Sequence, residues 1–387
     1  MAKWAAWLLL AGMAWPAWAA KSLSVEELDL LLANNQGKPD AHVAQQLADV
    51  ELAERVSPER LARWEKAFAG PRTREELMRL ADAAAFLKTP ALDTMHIVPP
   101  DSDTQERMLE LAADFAKTAF AKLPDFDAMS EMTHLEDAAT DEQAAGASWH
   151  RNPLAMVSGK NEPKPLHVTG TTSATVTFRD GKEIREGSGE KSAAEGQAPV
   201  DSNAPAVSNA RLTLEPSGEF GALMGVVIGD AARGQVAWSH WEQTSGDPMA
   251  VLHYSVPQDR SDLKVRVAAG AKFDEVTPAY HGEIAIDPAT GSILRVSVVA
   301  EMPGMYEGMQ AATVIEYAPV TLGDRSCICP LHGVVFTKGP AAGAAPDAQN
   351  AAVQTEVNDV AFTHYQLPGS ASGVQSSGAA AGPPVQH

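Results

Sequence analysis

Cysteine is nearly absent from this chain of 387 residues: Cys327 and Cys329, in SCICP, are the only two. That count excludes a disulfide framework. Their spacing puts both thiols on one face of a strand, which suits a metal pair or a strained local disulfide. No second cysteine pair completes a four-thiolate site, however, and no histidine pair has finger-like spacing. Two buried thiols packed as small apolar groups is the reading that weighs most. Positive charge is also scarce, with 30 Lys and Arg against 50 Asp and Glu and a formal charge of -20. Such a chain is repelled by phosphate backbones and anionic membrane surfaces, so nucleic acid is not expected as a partner. Beyond the first twenty residues no apolar run has the length of a membrane span, and the mature chain is expected to have no transmembrane segment. Catalytic signatures are missing as well: no GxSxG, no HExxH, no Walker loop, and no GxGxxG after a strand. The expectation is a protein that is not an enzyme and carries no cofactor. Adjacent carboxylates such as Glu136-Asp137 and Asp141-Glu142 are what an acidic chain supplies by chance.

Residues 1–20 have the order of a secretory signal. Lys3 precedes an apolar core over 4–15, and Ala17-Trp18-Ala19 makes a small-x-small cleavage site. Cleavage near Ala19 predicts a periplasmic or secreted protein and, with Lys3 lost, takes the charge from -20 to -21. An uncleaved N-terminal anchor is the alternative.

Residues 21–95 read as a small helical bundle. Ser24 and Glu27 form a capping box ahead of Val25, Leu28, Leu31 and Leu32 at helical spacing. A second helix is expected over 40–55, and a third from Ser57-Pro58 carrying Leu61, Trp64 and Phe68. A fourth opens on a Thr73–Glu76 capping box. After a Pro- and Asp-rich linker, a helix over 104–121 places Met108, Leu111, Phe115 and Phe120 on a face suited to a sheet. Residues 104–367 then read as an antiparallel β domain: one long helix, alternating strands, and a segment at 218–228 that leans towards a helix across the sheet. Loops are expected at 187–206 and 341–352, and a disordered tail at 368–387. The clearest element is the hairpin at 280–299. Ile284, Ile286, Leu294, Val296 and Val298 are expected to face a core, His281 and Arg295 to face water, with Gly291 closing the turn at positive φ. The fold class is α+β: a small helical bundle, then a curved antiparallel half barrel wrapped around a helix.

Candidate site residues follow from the strands. Trp238, Trp241 and Tyr254 are placed to line a concave apolar pocket, with core packing weighing more for any one of them. Met305, between Met302 and Met309 in a glycine-containing connection, suits an adaptable apolar lip. His240, His253 and His281 lie in three strands, but alternation turns His253 and His281 away from the apolar face, and no metal site is expected from them.

Several segments together carry a resemblance: RLARWEKAFAGPRTREELMRLADAAAFL, LAADFAKTAFAKLPDF, WSHWEQTSGDPMAVLHYSV, AYHGEIAIDPATGSILRV and VNDVAFTHYQL. They resemble a family of uncharacterised exported proteins of acidobacterial type, over most of the mature chain. More remotely, the β-rich part is similar to the half barrels of periplasmic lipoprotein carriers (LolA/LolB-like) and RseB-type sensor domains. That resemblance implies a curved antiparallel sheet around a helix, with a concavity for acyl chains, and hence a lipid or acylated ligand. The alternatives are an interaction module for an envelope protein partner docking on the helices and, behind both, a metalloprotein or enzyme.

Overall fold

A computed structural model describes residues 21–119, 122–137, 166–192, 212–213, 221–244, 246–269, 272–340 and 353–368. Residues 1–20, expected as a signal, 193–206 and 341–352, expected as loop, and 369–387, expected as tail, lie outside the described residues.

The chain opens with β1 (Lys21–Leu23), α1 (Val25–Asn34), α2 (Asp40–Ala48), β2 (Val50–Leu52), α3 (Pro58–Ala67) and α4 (Pro71–Ala83). The Ser24–Glu27 capping box forms in both directions at the start of α1. The helix expected over 40–55 instead stops at Ala48, and the chain turns extended so that β2 pairs in parallel with β1. Thr73 does not cap α4. Gly70 and Pro71 start that helix one turn earlier, and the Thr73 hydroxyl donates to the Asp40 carboxylate at 2.6 Å, tying α4 to α2. Leu28, Leu47, Trp64, Leu77 and Leu80 are buried in a core shared by these elements.

Strand β3 (Thr94–Met95) leads to α5 (Ser102–Thr118), which Asp101 caps, so the helix starts two residues before the expected position. The remaining elements are β4 (Phe126–Glu136), β5 (His167–Arg179), β6 (Lys182–Ser192), β7 (Leu212–Thr213), α6 (Ala222–Ala231), β8 (Gln235–Glu242), β9 (Met249–Val256), β10 (Val265–Ala269), β11 (Lys272–Val276), β12 (Ala279–Ile286), β13 (Ile293–Glu301), β14 (Gln310–Leu322), β15 (Arg325–Pro340) and β16 (Val353–Gln366). Strand β6 runs into the stretch read as a loop from 187: its backbone continues to pair with β5 as far as Ser192.

Among the described residues, eleven strands form one antiparallel sheet in the order β3-β8-β9-β12-β13-β14-β15-β16-β4-β5-β6, which is not closed into a barrel. A separate three-stranded sheet has the order β11-β10-β7. The large sheet is covered on both faces. On the first, α5 and α6 lie over Leu252, Tyr254, Tyr280, Ile284, Val296 and Val298, all buried. The same face continues into a second apolar cluster built on Phe126, Phe178, Phe362 and Cys329. Cys327 packs at its margin, and both cysteines are free thiols. On the second face, Ala85 and Phe86, just after α4, pack on Val314, Val334 and Phe336. The faces alternate along each strand, so second-face residues in the middle of β13 to β15, such as Arg295, Val314 and Val334, meet the N-terminal segments instead of water, while Glu301 stays exposed.

That cover overturns one expectation for the 280–299 hairpin. Arg295 is only 4% exposed. It does face away from the apolar core, but the surface it faces belongs to the N-terminal helices. A bulge corrects a second expectation: Ile284 opposes Val296 while Ile286 opposes Ile293, so Leu294 is an extra residue. Ile293 takes the buried place and Leu294 is half-buried. Gly291 has φ +73, and a Cβ there would sit 2.4 Å from the Leu111 carbonyl carbon of α5. The turn therefore needs glycine twice, for its backbone angle and for the approach of a helix.

Replacing Gly291 by alanine is expected to cost about 2–4 kcal/mol, more than the roughly 1 kcal/mol of a positive-φ alanine alone. Urea unfolding measures it, and a loss below about 1 kcal/mol would show that α5 does not press on the turn.

Candidate functional site

The second face of the sheet carries a belt of ionisable side chains running across the strands. Glu242 at the end of β8 is 2% exposed. It receives Arg295 of β13 in a two-pronged pair, Nη1 to Oε1 at 2.9 Å and Nη2 to Oε2 at 2.6 Å. Arg55, from the segment after β2, donates to the same Oε1 at 2.8 Å and to Thr89 at 3.1 Å. One carboxylate thus joins the sheet to the N-terminal helices. Burial on its own would raise the Glu242 pKa, but the Arg295 charge and hydrogen bonds, with the Arg55 charge, overcome it and hold the carboxyl far below its usual range. His240 Nε2 lies 3.6 Å from Glu242, too long for a hydrogen bond.

Further along the belt, Glu316 of β14 lies directly opposite His332 of β15, and Asp359 of β16 lies on the diagonal, two residues from Ala361, which is His332's direct partner. His332 Nε2 meets Asp359 Oδ2 at 2.8 Å, and its Nδ1 lies 3.6 Å from Glu316. Burial would lower the His332 pKa, but the two flanking carboxylates raise it well above its ordinary value. Asp82, near the end of α4, points down onto this group from the helical side and is 1% exposed. Burial first, then the Asp359 charge, push its carboxyl well above the usual range. A cavity of about 170 Å³ opens beside it, lined among others by Glu65, Asp82, Glu316 and His332. A second of about 180 Å³ lies between Arg55, Lys88, His281, Glu283 and Arg295.

The residues expected to bind ligand sit elsewhere and do not all converge. Trp238 and Trp241 come together edge to face, ring centroids 4.9 Å apart. A bulge between Trp238 and His240 puts both rings on the first face, although their spacing alone would separate them. Both are half-buried at the margin of the main core, and the Trp241 indole donates to the Val98 carbonyl at 3.3 Å. Tyr254 is fully buried. Its ring lies over Gly282, where a Cβ would come within 2.9 Å of its oxygen, and its hydroxyl donates to the Ser297 carbonyl at 2.7 Å. Met305 is 69% exposed, in the turn after β13. That turn lies at the opposite end of the strands from Trp241, which pairs through Ala250 and Ile286 with the start of β13. His253 and His281 stand with ring centroids 6.1 Å apart on the second face, and His240 is held beside Glu242 instead of joining them.

Glu242, Arg55, Arg295, Asp82, His332 and Asp359 escaped the sequence reading. The strand residues occupy positions that alternation assigns to solvent, Asp82 takes the polar slot in a Leu- and Ala-rich helix, and Arg55 falls at the end of the helix expected over 40–55. The available signal was the unbroken run of ionisable residues on one face of successive strands, Glu283, Arg295, Glu316, His332 and Asp359.

Removing the Glu242 charge with Glu242→Gln leaves two buried guanidinium groups underpaired and is expected to cost about 3–5 kcal/mol. The folded carboxyl titrates below the ordinary glutamate value of 4.5, so its stabilisation is complete above about pH 4.5 and is lost as pH falls below it. Unfolding free energies from pH 7 to pH 3 should fall less steeply in Glu242→Gln than in the wild type. Parallel curves would contradict the assignment.

No family model matches this chain, and no curated protein matches it, so the resemblance to exported acidobacterial-type proteins gains no support. Among solved structures, the crystal structure of a LolA superfamily protein from Nitrosomonas europaea is similar, with 10% identity and a TM-score of 0.24. The match covers 68% of this chain and 92% of that one.

Proposed function

We propose that this protein is an exported, non-enzymatic binder or carrier of a lipid or acylated ligand. The sheet acts as an open half barrel with α5 and α6 as its filling, and the ligand enters beside Trp238 and Trp241. The observation that carries this reading is α6. Apart from Asp230 near its end, its sequence ALMGVVIGDA has no polar side chain, yet Leu223, Val226 and Ile228 are only half-buried. A helix of that composition is stable when apolar material surrounds it on every side. An acyl chain lying along α6 would supply what the protein does not, at about 0.8 kcal/mol for each methylene taken out of water. Leu109 and Phe115 of α5 and the two tryptophans fringe the same core in the same half-covered state. Two aromatic rings with polar N–H groups suit an entrance that is apolar on one side and wet on the other. The leader at 1–20, cleaved near Ala19, accounts for such a protein working in the periplasm or outside the cell.

A second reading has its own support. The groove between α1 and α2, of about 610 Å³, is lined by Leu30, Leu31, His42 and Gln46, and Leu30 is 61% exposed. This surface suits a protein partner in the envelope.

Native mass spectrometry of the protein purified from the exported fraction is expected to show an extractable lipid mass that organic solvent removes. The double variant Trp238→Ala/Trp241→Ala should bind a fluorescent fatty acid about five- to thirty-fold more weakly, the loss of about 1–2 kcal/mol of contact. A wild type that binds no fatty acid and yields no lipid would refute carriage and leave the α1–α2 groove as the site.

A further inference from the structure

We propose that Asp82, His332 and Asp359 form a binding site for a divalent transition-metal ion, at the seam where α4 meets β15 and β16. One ligand atom from each of the three lies within 4.8 Å of those of the other two. An ion bonded at about 2.0–2.2 Å needs ligand atoms roughly 3–4 Å apart, so small side-chain rotations bring all three to it. Three features go beyond the clustering of acids. Asp82 Oδ2 is buried and, among the described residues, accepts no hydrogen bond. It is aimed at the Asp359 carboxylate, which offers it no donor. An oxygen in that state lacks a cation or a proton.

The imidazole is also held as a ligand is held. His332 turns Nε2 towards Asp359 at 2.8 Å while Glu316 faces its other nitrogen at 3.6 Å. A carboxylate near the second nitrogen favours a proton there and leaves Nε2 as the nitrogen to meet a metal. Binding would replace the proton shared by Nε2 and Asp359, which leaves to solvent as the ion enters. Finally, the site has an open side. The cavity of about 170 Å³ beside Asp82 and His332, with Glu65 on its wall, has room for water to complete the coordination shell. One imidazole and two carboxylates are a donor set for Zn²⁺, Mn²⁺, Fe²⁺ or Co²⁺, too rich in nitrogen for Mg²⁺ or Ca²⁺ to be preferred. The ligands come from residues 82, 332 and 359, so the ion would clamp the N-terminal helices to the sheet. This site is independent of the ligand reading above, on the other face.

Chelator-stripped full-length protein titrated with Co²⁺ tests the assignment. One equivalent should bind with visible d–d bands and no thiolate charge-transfer band, and Zn²⁺ should displace it. The near-isosteric Asp82→Asn and the variant His332→Asn, each checked for folding by circular dichroism without metal, should weaken binding at least tenfold. Cys327→Ser/Cys329→Ser should leave it unchanged. If neither ligand variant folds, a Zn²⁺-induced rise in wild-type Tm that survives in the cysteine-free variant supports the site. Absence of saturable binding to the wild type, a thiolate band, or unchanged affinity in both folded ligand variants would overturn it; in the first case Asp82 holds a proton instead.

Discussion

One carboxylate determines how the halves of this chain belong together. Glu242 is buried at the edge of an eleven-stranded sheet and neutralised by Arg295 from the sheet and Arg55 from the N-terminal helices. An ionised carboxylate is tolerated in such a place only while its charge partners and hydrogen bonds remain complete. If the helical layer lifts away, Arg55 leaves, water enters, and Arg295 faces solvent on a strand surface that is otherwise half apolar. The cover and the polar belt therefore require one another. The first face depends on such pairing far less: α5 and α6 meet it mainly through aliphatic and aromatic contact, with one buried hydrogen bond from the Tyr280 hydroxyl to Asp230 of α6 at 2.8 Å.

This division explains what was legible in the sequence and what was not. Local rules worked where local physics decides. The Ser24 capping box, the positive φ at Gly291 and the alternation of Ile284 and Ile286 are settled within a few residues of themselves. The large antiparallel sheet follows from the same alternation repeated. Errors arose where an extra residue or a distant segment intervened. Leu294 lost its inward place to a bulge, and Thr73 gave its hydroxyl to Asp40 of a neighbouring helix. Arg295 is the instructive case. Alternation places it correctly on the face away from the apolar core, but the identity of that face depends on residues 55 and 82–86, more than two hundred positions earlier. Asp82 and His332 are invisible for the same reason: no window of sequence contains both.

The two faces also separate two kinds of chemistry. Half-buried apolar side chains around α6 and the Trp238–Trp241 edge have the character of a surface for greasy ligands. The opposite seam gathers carboxylates, guanidinium groups and an imidazole in small cavities between layers. A single sheet thus divides an apolar compartment from a charged one, and the side chains of each strand contribute to both by turns.

Through the buried seam, the N-terminal helices and the sheet form one cooperative structure. Hydrogen exchange read by mass spectrometry across a denaturant series tests it most directly. Amides of α4 and those of β13 to β16 should lose protection at the same denaturant concentration. Loss of protection in α4 well before the sheet opens would show two independent units and contradict the account.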